Sequence, residues 1–400
     1  MLTAQEQGLL GEIREAELVR ILQDLIRARS DTPPGDTRAA IAVVERELQH
    51  AGIACRRYAR DPVRESLIAE IGPPGAGPLL LLHAHIDTVP AGDPTRWTHP
   101  PFEGVLCEDR LYGRGAGDDK GSVAVQLAAF LALAHAEVVK NRRIGLAVVA
   151  DEESGGEEGT RWLHDAGLLK ADALVIGEQT QNQISIAERV TCGIDLIVYG
   201  KSAHGATPWE GENAVLKACR ALTYLFNHLE PELHARKHPH LPPPSLNLGR
   251  IEGGVQWNIV PEKCVAKMDR RLIPGETREA ALQEMRLILD RYAEEVEPLR
   301  YALHSEGDVA PNIDTDPEDP FVHHAQRALA DLTGAPRPLT GYVQTSDGRW
   351  FAGDGIPIIH FGPGDPALAH AADEYVTVGQ LVEGARFLAL LGMRWSTLQM

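Results

Sequence analysis

Paired cysteines are missing from this 400-residue chain. Its five cysteines (Cys55, Cys107, Cys192, Cys219, Cys264) are odd in number, scattered, and form no CxxC pair. That argues against a disulfide framework and a thiolate metal site, and it fits a reducing cytoplasm. Any metal would have to be held by His, Asp and Glu. Basic charge is also scarce: 39 Lys and Arg face 57 Asp and Glu, a formal net charge of −18. An acidic chain of this kind argues against nucleic acid or an anionic membrane surface as a partner. No apolar run approaches the ~18 residues of a transmembrane helix. The opening MLTAQEQGLLGEIREAE has no basic stretch followed by an apolar one, so no signal peptide is expected. Repeats and low-complexity tracts are absent as well. What remains is the composition of a globular protein, too long for one ordinary core, so two domains are expected.

Hydrophobic spacing predicts the elements. Leu18, Ile21, Leu22, Leu25 and Ile26 follow a helical period that Pro33, Pro34 and Gly35 end. A second helix is expected from a cap at Asp36 or Thr37, with Ile41, Val44 and Leu48 on one face and Gly52 as its stop. Short apolar runs at 79–82, 144–150, 174–176 and 356–361 read as buried strands, and 122–139 as a helix apolar nearly all round. Strands alternating with helices imply an α/β domain, a largely parallel sheet flanked by helices. The middle differs: strand 194–199, helix 213–229, a Pro-rich link 238–244, strands 246–251 and 263–271, helix 278–292 and strand 299–304. That β-α-β-β-α-β order is a ferredoxin-like unit. The expected division is 1–189 with 305–400 as one domain and 190–304 as an inserted second one.

Candidate chemistry sits just after strand ends, where open α/β sheets build their sites. The run at 79–82 leads into His83-Ala84-His85-Ile86-Asp87. His85 and Asp87, two apart in extended chain, are either a metal ligand with its supporting carboxylate or a loop His beside a solvated Asp. His83 reads as a packed strand residue. In Gly113-Arg114-Gly115-Ala116-Gly117-Asp118-Asp119-Lys120-Gly121 the glycines suggest a phosphate loop, but the GxxxxGK[ST] order is missing and two carboxylates at a helix entrance would repel phosphate. Asp118 is either a ligand or a helix cap. Asp151-Glu152-Glu153 follows another buried strand. One glutamate there can ligate while the other acts as general base, unless the three acids are only an exposed turn. Glu178 follows the run at 174–176, and His370 follows Phe361-Gly362-Pro363-Gly364. Together His85, Asp118, Glu153, Glu178 and His370 supply two imidazoles and three carboxylates, enough for two zinc-like ions sharing one carboxylate.

Nine segments resemble, in order, the acetylornithine deacetylase / succinyl-diaminopimelate desuccinylase / carboxypeptidase G family of two-zinc metallopeptidases and amidohydrolases. They are HAHIDTVP, WTHPPFEGVLCEDRLYGRGAGDDKG, ADEESGG, IGEQT, GKSAHGATPWEGENAV, GGVQWNIVPEKC, DRRLIPGE, TSDGRWF and FGPG with AHAADE. The likeness runs from about Leu18 to about Phe387. It implies that His85 and Glu178 hold one ion, Glu153 and His370 the other, and Asp118 bridges them. It implies further that Asp87 orients His85 and that Glu152 is the general base. A cis peptide is implied at Asp118–Asp119. The inserted domain becomes a lid and a homodimer surface. There His204 stabilises the oxyanion, and Asn258 and Arg271 (beside Arg270) bind the substrate's polar end. Gly364 is carried over as a substrate-binding position. Two places depart from the family pattern: Ala84 stands where Gly is common, and Gln179 where Pro is. The expected activity is metal-dependent cleavage of an N-acyl amino acid or related small amide, with Zn²⁺, or Co²⁺ or Mn²⁺ in its place. A dipeptidase or carboxypeptidase with the same site is the alternative, and a non-catalytic small-molecule binder a further one.

Overall fold

The computed structural model describes residues 2–73, 75, 77–136, 139, 141–305 and 310–395. The chain separates into two compact units. One is Met1–Ile186, Thr315–Tyr342 and Ser346–Met400; the other is Ala187–Asp314 with Val343–Thr345. The second unit reaches past 304 because the returning chain pairs with its entry: Ala187 bridges Asp314, and Glu188 N donates to Ile313 O at 3.1 Å. It takes in Val343–Thr345 because Thr191 N donates to Thr345 Oγ1 at 3.1 Å.

The first unit is built on an eight-stranded sheet. Its order is Cys55–Tyr58, Ser66–Ile71, Arg143–Val149, Leu79–His85, Ala173–Ile176, Ile358–His360, Ser185–Glu188 and Thr340–Tyr342. The four central strands from Arg143–Val149 to Ile358–His360 run parallel. Strands buried on both faces need no alternation, which is why Leu79–His85 is a continuous apolar run with every residue buried. The helix Lys120–His135 is buried nearly all round because it packs on that strand and also against the helices Glu15–Arg27 and Val378–Trp395. It stops short of the expected Val139: Ala136 caps it, Val139 is not helical, and 137 and 138 lie outside the described residues. The antiparallel pair Cys55–Tyr58 and Ser66–Ile71 and a small sheet of Val105–Cys107, Arg110–Tyr112 and Tyr375–Thr377 carry no apolar run long enough to be read from sequence.

The second unit has the expected β-α-β-β-α-β order. Its antiparallel sheet runs Ser245–Gly253, Lys263–Leu272, Val190–Tyr199, Arg300–Ser305. Val190–Tyr199 alternates buried and open residues, and its buried side meets Leu222, Leu225, Met285 and Leu289 from the helices Ala214–Ala235 and Arg278–Glu295. The first of these helices runs on through Pro231 instead of ending near Leu229. Leu233 is still buried on its apolar face, which offsets the lost backbone hydrogen bond.

Candidate metal centre

Three strand ends, a helix entrance and a turn in the first unit gather the five proposed ligands. His85 closes Leu79–His85, Glu153 lies in the short turn Glu152–Ser154 just beyond Arg143–Val149, and Glu178 follows Ala173–Ile176. Asp118 precedes the helix Lys120–His135, and the peptide bond from Asp118 to Asp119 is cis. His370 sits in a turn with φ of 61°. Ligand atoms of His85, Asp118 and Glu178 lie within 4.8 Å of one another, as do those of Asp118, Glu153 and His370. Asp118 belongs to both groups. Its Oδ1 is 3.1 Å from His85 Nε2 and its Oδ2 3.3 Å from His370 Nε2, while Glu153 Oε2 is 3.2 Å from that same His370 nitrogen.

The electrostatics describe a pocket short of positive charge. Burial, and then the neighbouring Asp118, push the Glu153 carboxyl up; burial and Asp119 push Glu178 well up. Burial works against the charge on Asp118, but the imidazoles of His370 and His85 reverse it and hold the carboxyl far below its usual range. His370 is raised to about 10 by Asp118 and Glu153. His85 pays for burial, yet Asp118 and Asp87 hold it well above its ordinary value. The two imidazoles thus take up protons where the crowded carboxylates call for cations. Two nitrogen and three carboxylate donors converging in this way fit divalent ions of the zinc type.

Supporting contacts come from residues with and without a sequence signal. Asp87 accepts from Glu152 N at 3.2 Å and Glu153 N at 3.1 Å. It therefore fixes the acidic turn, while its Oδ1 stands 3.6 Å from His85 Nδ1 and its backbone carbonyl 3.0 Å. His83 is a packed strand residue: burial lowers it to about 3 and Nε2 lies 2.9 Å from Thr160 Oγ1. Arg349 Nη1 is 3.8 Å from Glu152 Oε1. Gly364, with φ of 92°, lies so close to the Asp118 loop that a side chain there would meet Gly117 Cα at 3.2 Å. Tyr342 donates to Glu178 Oε2 at 2.7 Å. Nothing in the local sequence marks it, because the contact spans distant strand ends. Glu374 accepts from Gly117 N at 2.7 Å and Asp118 N at 2.9 Å. It stands in the quoted AHAADE segment, where an acid after the ligand His was its only signal.

The remaining site candidates lie in the second unit. His204 bridges Ile259, and Gly205 N donates to Asn258 O at 2.7 Å, so the His204 and Asn258 segments are neighbours; both side chains are exposed. Arg271 is half-buried with Nε donating to Asp269 Oδ2 at 2.9 Å. Arg270 is fully buried and paired with Glu276 at 2.8 Å, which leaves Arg271 as the more available guanidinium.

The description "Peptidase family M20/M25/M40" matches residues 81–394. The chain belongs to this family. It is 32% identical over 375 residues to a succinyl-diaminopimelate desuccinylase of Marinobacter nauticus, covering 91% of this chain and 94% of that one. Among solved structures it is similar to an M20 family metallo-carboxypeptidase of Sulfolobus solfataricus, at 18% identity and a TM-score of 0.78, covering 96% of this chain and all of that one. It is also similar to a dinuclear metal-binding M20 peptidase of Bacillus subtilis, at 16% identity and a TM-score of 0.71, covering 96% and 99%. This M20 chain is accordingly a metal-dependent hydrolase of amide bonds in small molecules. Among the described residues, no helix is long and apolar enough to cross a membrane.

Proposed function

We propose that this M20 hydrolase removes an acyl group from an N-acyl amino acid, using two divalent ions. The observation that carries the reading is Asp118, whose two oxygens face the two imidazoles while Glu178 and Glu153 flank it on opposite sides. His85, Asp118 and Glu178 would hold one ion and Asp118, Glu153 and His370 the other; Zn²⁺ is the expected metal, with Co²⁺ or Mn²⁺ as substitutes. Bound there, the ions supply a Lewis acid for the amide carbonyl and an acidified water. Glu152 takes the proton from the attacking water and returns it to the departing nitrogen. Asp87 keeps Glu152 in place through its backbone N–H. His204 accepts from Ala206 N at Nδ1, which leaves Nε2 to donate to the developing oxyanion. Asn258 and Arg271 would take the substrate's polar end, a guanidinium being matched to a carboxylate, and Gly364 leaves room beside the Asp118 loop.

On this reading the unit Met1–Ile186, Thr315–Tyr342 and Ser346–Met400 catalyses, and the unit Ala187–Asp314 with Val343–Thr345, slightly wider than the expected 190–304, is a lid and a homodimer surface. The sheet edge at Ser245–Gly253 supports the latter. Beside it lies a groove of about 450 Å³ lined by Leu222, Phe226, Leu248 and Ile251, an apolar surface suited to a second copy. Free thiols throughout support a cytoplasmic location. The similar carboxypeptidase favours a second reading, peptide hydrolysis at the same site. Amine release from a panel of N-acetyl, N-succinyl and N-formyl amino acids and dipeptides, with metal-free protein and with added Zn²⁺ or Co²⁺, tests both. Metal-dependent release from the N-acyl compounds is expected. Release from dipeptides alone would replace the deacylase by the peptidase, and release without metal would overturn both.

A further inference from the structure

The turn that bears His370 and the loop that bears Asp118 are joined by one carboxylate. Glu374 is almost fully buried. Its Oε1 accepts from Gly117 N at 2.7 Å and Asp118 N at 2.9 Å; its Oε2 accepts from Gly115 N at 3.1 Å and pairs with Arg114 Nη1. Arg114 Nη2 then donates to Ala371 O at 3.2 Å, next to His370. The Glu374 carbonyl accepts from Gly113 N at 3.0 Å, and the strand that follows, Tyr375–Thr377, pairs with Arg110–Tyr112. Asp373 fixes the other side of the turn, accepting from the N–H and hydroxyl of Thr98, both at 2.7 Å.

Four donors and no acceptor meet the Glu374 carboxylate, and only a carboxylate can accept on both oxygens. Backbone N–H groups converging on an anion form a nest, and here the nest is the peptide chain that delivers Asp118. An ordinary buried ion pair would tie Glu374 to Arg114 alone. The three backbone donors add something else: the height and direction at which Asp118 leaves the loop.

We propose that Glu374 is a positioning residue that sets Asp118 against His370, and that it determines how tightly the protein holds its second ion. The proposal rests on the two-ion reading of the cluster. A glutamine in its place has one oxygen and one NH2 group, so in either orientation donors face donors.

The test is Zn²⁺ titration of metal-free protein by calorimetry, with bound metal counted after dialysis. Glu374→Gln is expected to weaken one of two ions by about tenfold to a hundredfold, the usual cost of losing a group that orients a ligand. Excess Zn²⁺ should then restore turnover. Glu6→Gln, which breaks the part-buried Arg394 pair held at 2.6 Å elsewhere in the same unit, should lower thermal stability and leave both affinities unchanged. Where Glu374→Gln does not fold, Arg114→Lys, which loses the Ala371 link, is expected to weaken the same ion to a smaller degree. Wild-type protein that binds two ions, with variants that bind them equally well, would overturn the proposal alone. Wild-type protein that binds fewer than two would overturn the two-ion reading beneath it.

Discussion

The two units treat their candidate residues in opposite ways. In the first, strand ends and the loops beside them bring three carboxylates and two imidazoles together at a cost in charge repulsion; His85, Asp118 and Glu178 are buried, Glu153 is half-buried and His370 alone of the five is exposed. In the second, His204 and Asn258 stand exposed on adjoining segments, and Arg271 is half-buried beside its own Asp269. A cluster made by the core exists before any ligand arrives and is kept only because something compensates it. Exposed groups carry no such penalty and take their role from what binds. The comparison therefore predicts that changes to the clustered ligands of the first unit act on metal, and changes to the exposed candidates of the second on substrate and turnover alone.

The largest effect is expected at Asp118. Asp118→Ala removes the oxygens facing both imidazoles, so bound metal and turnover should both fall to background, read by metal analysis and amine release. Glu152→Ala should divide those readouts: both ions stay, and kcat falls by at least about 10²–10⁴-fold, the range for a positioned acid-base group. Full turnover in that variant would remove Glu152 from its role. His204→Ala tests the other unit. A loss of about 10²–10³-fold in kcat with unchanged metal content is expected for an oxyanion donor; loss of metal would contradict the contrast between the units. Tyr342→Phe is a smaller change. It releases Glu178 Oε2 from its 2.7 Å partner, and a metal affinity lower by about tenfold is expected.

How much of this was legible in sequence follows the same division. The central strands could be read because burial on both faces makes them uninterrupted apolar runs, and strand ends then pointed to His85, Glu153 and Glu178. His370 lies in a left-handed turn, so it is a weak candidate taken singly and gains weight only as the second imidazole of the set. Tyr342 and Glu374 act through contacts between segments distant in sequence, so no local pattern could show Tyr342, and Glu374 showed only as an acid following the candidate His370. The helix expected to end near Leu229 runs on through Pro231 because Leu233 beyond it is buried. His204, Asn258 and Arg271 sit on ordinary loops and strands, and their composition alone would have passed for surface.

The smallest expected effect separates general acid sensitivity of the first unit from its ligand cluster. His324, on the helix Pro320–Thr333, is lowered to about 4 by burial and by Arg394 and Arg327 nearby. Its Nε2 is buried without a hydrogen-bond partner. In the unfolded chain a histidine titrates near 6.5, so between about 6.5 and 4 the unfolded state binds a proton that the folded state refuses. The sign follows: stability tied to neutral His324 is fully present above 6.5 and declines as pH falls toward 4. Partial exposure makes the slope shallow. His324→Asn removes the titration, so denaturant midpoints of metal-free protein should fall less steeply with acid than in the wild type. Metal affinity at neutral pH should stay the same in this variant. A midpoint-against-pH curve parallel to that of the wild type would mean that His324 takes up its proton in the folded state and contributes nothing to the acid response of this unit.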